Sequence, residues 1–371
     1  MDAPKLRFKE FNDEYKLYKL KDLVEVYDGT HETPNYVDNG IKFVSVENIS
    51  NLLKTTKYIT EKDFEKYKIK PRFNDVFMTR IGDIGTSAIY KSDEKIAYYV
   101  SLALLRSKND DILFPDYLNQ YIKNTNFQKE LYNRTIHVAF PKKINTGEIG
   151  ECKCHICSSN EQFKIAKFLE LLDKKIEFQT KKIEDLKLFK LCITEKIFNS
   201  SKAKISIKLK NISLIEKGEQ INNDQLLNYG DYYMLNGGIN PSGYLNIYNR
   251  NENTITVSEG GNSCGYVSFN RKKFWCGGHC YSIKPFNINN EYLYQLLKYN
   301  ERKIMYLRVG SGLPNIQKKD LENLIVRIHN DNEQKRISIL LLNYDNKIYL
   351  ESKKLNILTQ LKKGLMQSMF V

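Results

Sequence analysis

At 371 residues the chain has room for two ordinary domains and connecting elements, and its 41% hydrophobic and 12% aromatic content excludes a disordered polymer. A formal charge of +14 fits a polyanionic partner, most simply nucleic acid, although the lysine-rich usage of an AT-rich genome produces the same excess. No apolar run reaches the roughly 18 residues of a membrane span, residues 1–10 lack the apolar core of a secretory signal, and seven scattered cysteines fit a reducing cytoplasm.

In chain order, residues 1–158 read as a first mixed α/β domain. It opens with Lys19-Leu20-Lys21-Asp22-Leu23 and Gly29. A strand at 76–81 runs into the turn Gly82-Asp83-Ile84-Gly85, and Asp116-Tyr117-Leu118 begins an amphipathic helix. A long helix is expected over 159–200. Residues 201–330 repeat the outline: Lys208-Leu209-Lys210-Asn211-Ile212, Gly218, a strand at 255–258 before Gly260-Gly261-Asn262, and a helix opening at Glu291-Tyr292-Leu293. Pro141 and Pro314 precede matched segments leading to the long helices, the second of which is expected over 331–371.

The helices carry the clearest repeat. Laying 160–198 over 332–370 without a gap gives thirteen identities in 39 positions: the Asn-Glu-Gln starts, Ile165/Ile337, Leu169/Leu341, Asp173/Asp345, Lys175/Lys347, Ile176/Ile348, Lys181/Lys353, Lys182/Lys354, Leu186/Leu358, Lys190/Lys362 and Phe198/Phe370. Random pairing gives roughly two or three. Ile165, Leu169, Leu172, Ile176, Ile183 and Leu186 follow heptad spacing, as do Ile337, Leu341, Tyr344, Ile348, Leu355 and Leu358. Both seams are broken at the same places, by Gln179 and Lys190 in one and by Glu351 and Lys362 in the other, which suggests that each helix is the other's partner. Connectivity makes the pair antiparallel. Helices of this length span roughly 57 Å, and two readers held at their ends would meet separate major-groove segments of a duplex whose turn is roughly 34–36 Å.

This order of parts resembles the specificity subunit of Type I restriction-modification enzymes, HsdS, over essentially the whole chain. The matching pieces are Pro4-Lys5-Leu6-Arg7-Phe8, the duplicated Lys-Leu-Lys-Asp/Asn-Leu/Ile, Gly310-Ser311-Gly312-Leu313-Pro314-Asn315-Ile316, the Asn-Glu-Gln-x-x-Ile helix starts and the closing Ile/Met-Phe. The first half departs from the pattern, with Ile136-His137-Val138-Ala139-Phe140-Pro141 where the second has Gly-Ser-Gly-Leu-Pro. The resemblance implies two α/β (α+β) target-recognition domains separated by a pair of long coiled-coil helices, in a prokaryotic cytoplasm. It implies double-stranded DNA as ligand, two methylation subunits docked on the helices, and restriction subunits in the full complex. The chain itself is expected to be non-catalytic and to hold no cofactor, with S-adenosylmethionine on the methylation subunits.

For DNA contact, Arg80 and Arg308 suit guanine, since arginine donates two bonds to O6 and N7. Asn236, Asn240 and Asn262 suit adenine, and Lys142, Lys143, Lys318 and Lys319 suit phosphates. Thr30, His31, Gly82, Asp83, His137, Glu259, His279, Ser311 and Asn315 complete the candidate set. Other readings fit pieces of the sequence. Asp116 with Glu151-x-Lys153 resembles a metal-nuclease pattern, and Cys152, Cys154, His155 and Cys157 are zinc-type ligands. Their spacing is unlike a zinc knuckle and Ile325, Arg327, Ile328 and Asn330 answer them, so strand cysteines and no metal are expected. Asn240-Pro241-Ser242-Gly243 reads as a turn, and no Gly-x-x-x-x-Gly-Lys-Ser/Thr loop is present. An independent DNA-binding regulator that dimerises through its helices remains an alternative.

Overall fold

The computed structural model describes residues 4–200, 205–310, 312 and 314–371, so Ser311 and Leu313 lie outside the described residues. The chain divides into two compact units, Met1–Gln179 with Lys354–Val371, and Thr180–Lys353. The two long helices, Ser159–Phe198 and Asp331–Met369, are therefore shared, each giving one half to each unit.

In the first unit, β1 (Lys16–Lys19), β2 (Val24–Asp28), β3 (Ile41–Val44), β4 (Tyr58–Ile59), β5 (Val76–Thr79), β6 (Ser87–Ile89), β7 (Ile96–Tyr98), β8 (Leu102–Ser107) and β9 (Lys153–Ile156) form three sheets. One is antiparallel in the order β2-β8-β5-β6; one is β4-β3-β7, with β3 and β7 parallel; the third pairs β1 with β9. Residues 76–78 of β5 and 102–105 of β8 read as apolar runs without alternation because both faces are covered. Val76, Met78, Ala103 and Leu105 face the helix-lined core, while Phe77, Leu102 and Leu104 face a smaller core against Tyr90 and Tyr98.

The second unit repeats this plan strand for strand: β10 (Ile205–Lys208), β11 (Ser213–Lys217), β12 (Tyr232–Leu235), β13 (Gly243–Leu245), β14 (Thr254–Ser258), β15 (Val267–Asn270), β16 (Trp275–Cys276), β17 (Cys280–Pro285) and β18 (Ile325–Ile328). The orders are β11-β17-β14-β15, β13-β12-β16 and β10-β18. Here one face of the central sheet is apolar and the other is mostly polar, with Cys280 its buried apolar member. Ile255, Val257, Tyr281 and Ile283 enter the core, whereas Thr256, Ser258 and Ser282 are buried and hydrogen-bonded on the other face, to Asn270, Gly237 and Arg250. One topology thus carries two different side-chain chemistries.

The helices pack against each other inside each unit, and antiparallel. In the first, Ile165, Ala166 and Leu169 share a core with Met366, Met369 and Phe370; in the second, Phe198 shares one with Ile337 and Leu341. The repeated Asp and Lys are each other's partners. Asp173 accepts from Lys362 and, at 2.9 Å, from Gln120 Nε2. Asp345 accepts from Lys190 Nζ and Gln295 Nε2, both at 2.7 Å. Of the polar breaks in the heptads, Lys190 and Lys362 are therefore held in charge-assisted clamps that fix register, and Glu351 accepts from Lys182 Nζ at 2.5 Å. The Asn-Glu-Gln start has a local explanation as well. Buried Gln162 and Gln334 each cap the loop ahead of an amphipathic helix, accepting from Phe114 N and Asn289 N, and donating to Cys157 O and His329 O.

Candidate nucleic-acid interface

The central strands end on one side in loops tied by matching backbone bonds. In the first unit, Gly82 N donates to Lys142 O at 2.8 Å, Ile144 N to Arg80 O at 3.0 Å, and Arg80 N to Ser101 O at 3.0 Å. In the second, Gly261 N donates to Pro314 O, Ile316 N to Glu259 O, and Glu259 N to His279 O. These bonds equate Arg80 with Glu259, Ser101 with His279, and Lys142 with Pro314. The sequence pattern pairs Pro141 with Pro314; the connection between the matched bridges is one residue longer in the first unit, so the structural pairing moves by one.

This end gathers most of the sequence-derived candidates. In the first unit Thr30 pairs with the Tyr98–Val100 backbone, exposed His31 bonds Asp28 Oδ2 at 3.1 Å, and Lys142 and Lys143 are exposed beside the Gly82 turn. His137 lies against the Tyr132 ring, tilted with centroids 4.3 Å apart, and bonds its carbonyl at 2.8 Å. Asp83 turns back to accept from Thr86 Oγ1 at 2.7 Å. In the second unit Asn236 Oδ1 accepts from His279 N at 3.0 Å, Asn315 bridges to both Val309 and Gly260, and Asn240 and Asn262 are exposed in neighbouring turns. Arg308 is exposed, with Nε donating to Met305 O. Lys318 stands on a short helix, 3.6 Å from Glu322.

Arg80 is not the free reader its position suggested. Its side chain is 8% exposed, Nε donates to Ile144 O at 3.0 Å and Nη1 is ion-paired with Asp28. The guanidinium braces the loop, and the more exposed member of the pair is Asp28.

Other features escaped the sequence reading. Val138 and Phe140 are fully exposed on the loop before Lys142. The long helices carry a second, outward apolar set: Phe163, Leu171, Phe178, Leu188, Tyr349 and Leu350 are all exposed. The heptad residues Ile165, Leu169, Ile337 and Leu341 are consumed by the units' own cores, whereas this outward set is left uncovered.

Asp116 is paired with Lys91 at 2.8 Å, and Glu151 with Lys19 and Lys21 at 2.7 and 2.5 Å. Both carboxylates are held by lysines. Among the described residues no three His, Cys, Asp or Glu side chains gather as a metal site. Cys152, Cys154 and Cys157 are buried with thiols pushed up to about 12 by desolvation, which keeps them as protonated small hydrophobes. No helix among the described residues is long and apolar enough to cross a membrane.

The sequence profile of the Type I restriction modification DNA specificity domain matches residues 12–188 and again 203–360. A Mycoplasma pneumoniae protein, provisionally named a type I specificity subunit, is 35% identical over 138 residues, 36% of this chain; the chain spans 36% of that relative's length. A Methanocaldococcus jannaschii protein, provisionally named a type I restriction enzyme specificity subunit, is 25% identical over 405 aligned positions that cover 96% of this chain and 93% of its own. The crystal structure of a Type I restriction-modification S subunit from M. genitalium superposes with a TM-score of 0.72 at 18% identity, covering 100% of this chain and 99% of that one. The duplicated profile, the matching duplicated fold and the paired helices lead to one conclusion: the chain belongs to the Type I restriction modification DNA specificity domain family.

Proposed function

We propose that this chain gives a Type I restriction-modification complex its DNA sequence, with domains 1–158 and 201–330 each reading one half of a bipartite, asymmetric double-stranded site. The long helices, 159–200 and 331–371, carry two methylation subunits, which hold S-adenosylmethionine; restriction subunits join to complete the enzyme in a prokaryotic cytoplasm. One observation carries the reading: a single topology occurs twice, and the same end of each central sheet presents different side chains. Identical scaffolds with different reading groups suit two unlike half-sites. The outward apolar residues of the helices supply a docking surface of the kind obligate partners cover.

A regulator dimerising through the heptads is disfavoured, because those seams are filled within each unit and locked by the Asp173–Lys362 and Asp345–Lys190 clamps. The deciding experiment is a genome-wide map of methylated adenines with the gene intact and deleted. Loss of one split, asymmetric motif is expected on deletion; an unchanged map refutes the proposal.

A further inference from the structure

The registers equate a second pair of residues. Asp28 lies opposite Ala103 and Thr79 opposite Leu102 in the first central sheet; Lys217 lies opposite Tyr281 and Ser258 opposite Cys280 in the second. Asp28 therefore answers Lys217, as Arg80 answers Glu259. Each set forms an ion pair across the strand ends, Arg80 with Asp28 and Lys217 Nζ with Glu259 Oε1 at 2.7 Å, but the charges are exchanged. In both units the member following the central strand is buried, with Arg80 8% and Glu259 6% exposed. The member at the end of the edge strand faces out, with Asp28 32% and Lys217 54% exposed.

The buried members are anchored from within the fold. Arg80 is held by Ile144 O, and Glu259 Oε1 also accepts from Tyr281 Oη at 2.9 Å. Glycine follows each outward residue for a steric reason: a Cβ on Gly29 would collide with the Tyr99 backbone, and one on Gly218 with the Cys276 and Gly277 carbonyls. The outward side chains are thus fixed at equivalent places by equivalent backbones, one acceptor-only and the other donor-only.

We infer that Asp28 and Lys217 are specificity-determining residues at equivalent positions of the two half-sites, Asp28 selecting an amino-bearing base and Lys217 selecting guanine. The inference rests on the proposed DNA-reading role. A carboxylate accepts from cytosine N4 or adenine N6 in the major groove and is repelled by guanine O6 and N7, whereas an ammonium donates to guanine O6 and N7. The ion pair beneath each reader orients it without cancelling its outward chemistry. Asp28 keeps further lone pairs beside Arg80 and His31, and the Lys217 ammonium keeps donors beyond the one given to Glu259.

The test uses the full chain with its methylation subunits in a host without other adenine methylation, read by the methylated-adenine map. Lys217→Ala is expected to relax one guanine in the second half-site, its preference falling roughly 10–100-fold, and to leave the first half-site unchanged. Asp28→Lys combined with Arg80→Glu keeps an ion pair and is expected to move the corresponding base of the first half-site from cytosine or adenine to guanine. An unaltered motif in both variants, with the motif still lost on gene deletion, overturns this inference and leaves the proposed function standing. A map indifferent to deletion overturns both. Complete loss of methylation by the exchanged pair, in a chain that unfolds at the wild-type temperature, also counts against it.

Discussion

Phe370 directly follows the second long helix in the first unit, buried against Tyr117 and Tyr121 with ring centroids 5.5 Å from each. Its repeat partner Phe198 is likewise buried in the second unit, stacked on Tyr299 at 5.0 Å and against Tyr292 at 5.8 Å. Replacing a buried phenylalanine by alanine costs about 3–5 kcal/mol in lost transfer energy and residual cavity. For a unit near 200 residues each kcal/mol lowers Tm by about 2–4 °C, so Phe370→Ala is expected to drop the first unit's transition by about 6–20 °C. Scanning calorimetry on the purified chain provides the assay, with Phe198→Ala as the comparison that acts on the other unit. Two transitions, each moved by one variant only, are expected. A shift below about 2 °C for Phe370→Ala would refute the claim that this ring completes the first core.

Three further outcomes follow from the same geometry. Replacing Lys142 and Lys143 together by glutamine is expected to weaken DNA binding by the assembled complex evenly across sequences and to lower the salt slope by about 1 per lysine, measured as affinity against salt concentration; a change of preferred motif would contradict phosphate contact. Phe178→Asp with Leu188→Asp places charge on the outward helix face and is expected to abolish co-purification of methylation subunits while moving Tm by less than about 2 °C, because neither side chain is buried; retained assembly removes these residues from the docking surface. A maleimide reagent at neutral pH is expected to label Cys192 alone, since it is exposed and the other six cysteines are buried; mass spectrometry showing early labelling of Cys152, Cys154 or Cys157 would contradict their place in the core.

The duplication, the heptads and the family were legible in the amino-acid order, because helix pairing imposes a 3.5-residue periodicity that survives as identities at fixed spacing. Asp173, Lys190, Asp345 and Lys362 stood out as repeated residues for the same reason, though their pairing with one another required coordinates. The globular halves were legible only in outline. A sheet accepts apolar or hydrogen-bonded polar side chains on its second face, as Phe77 and Leu104 against Thr256 and Ser282 show, so one topology leaves little common sequence. The site was the least legible part. Asp28 and Lys217 each precede a glycine that the sequence aligned, Gly29 and Gly218, and that was the one available signal. Exposure settled which member of each ion pair faces outward. Arginine at position 80 has the right chemistry for guanine, but strand register places its guanidinium beneath the surface, and only tertiary packing decides that.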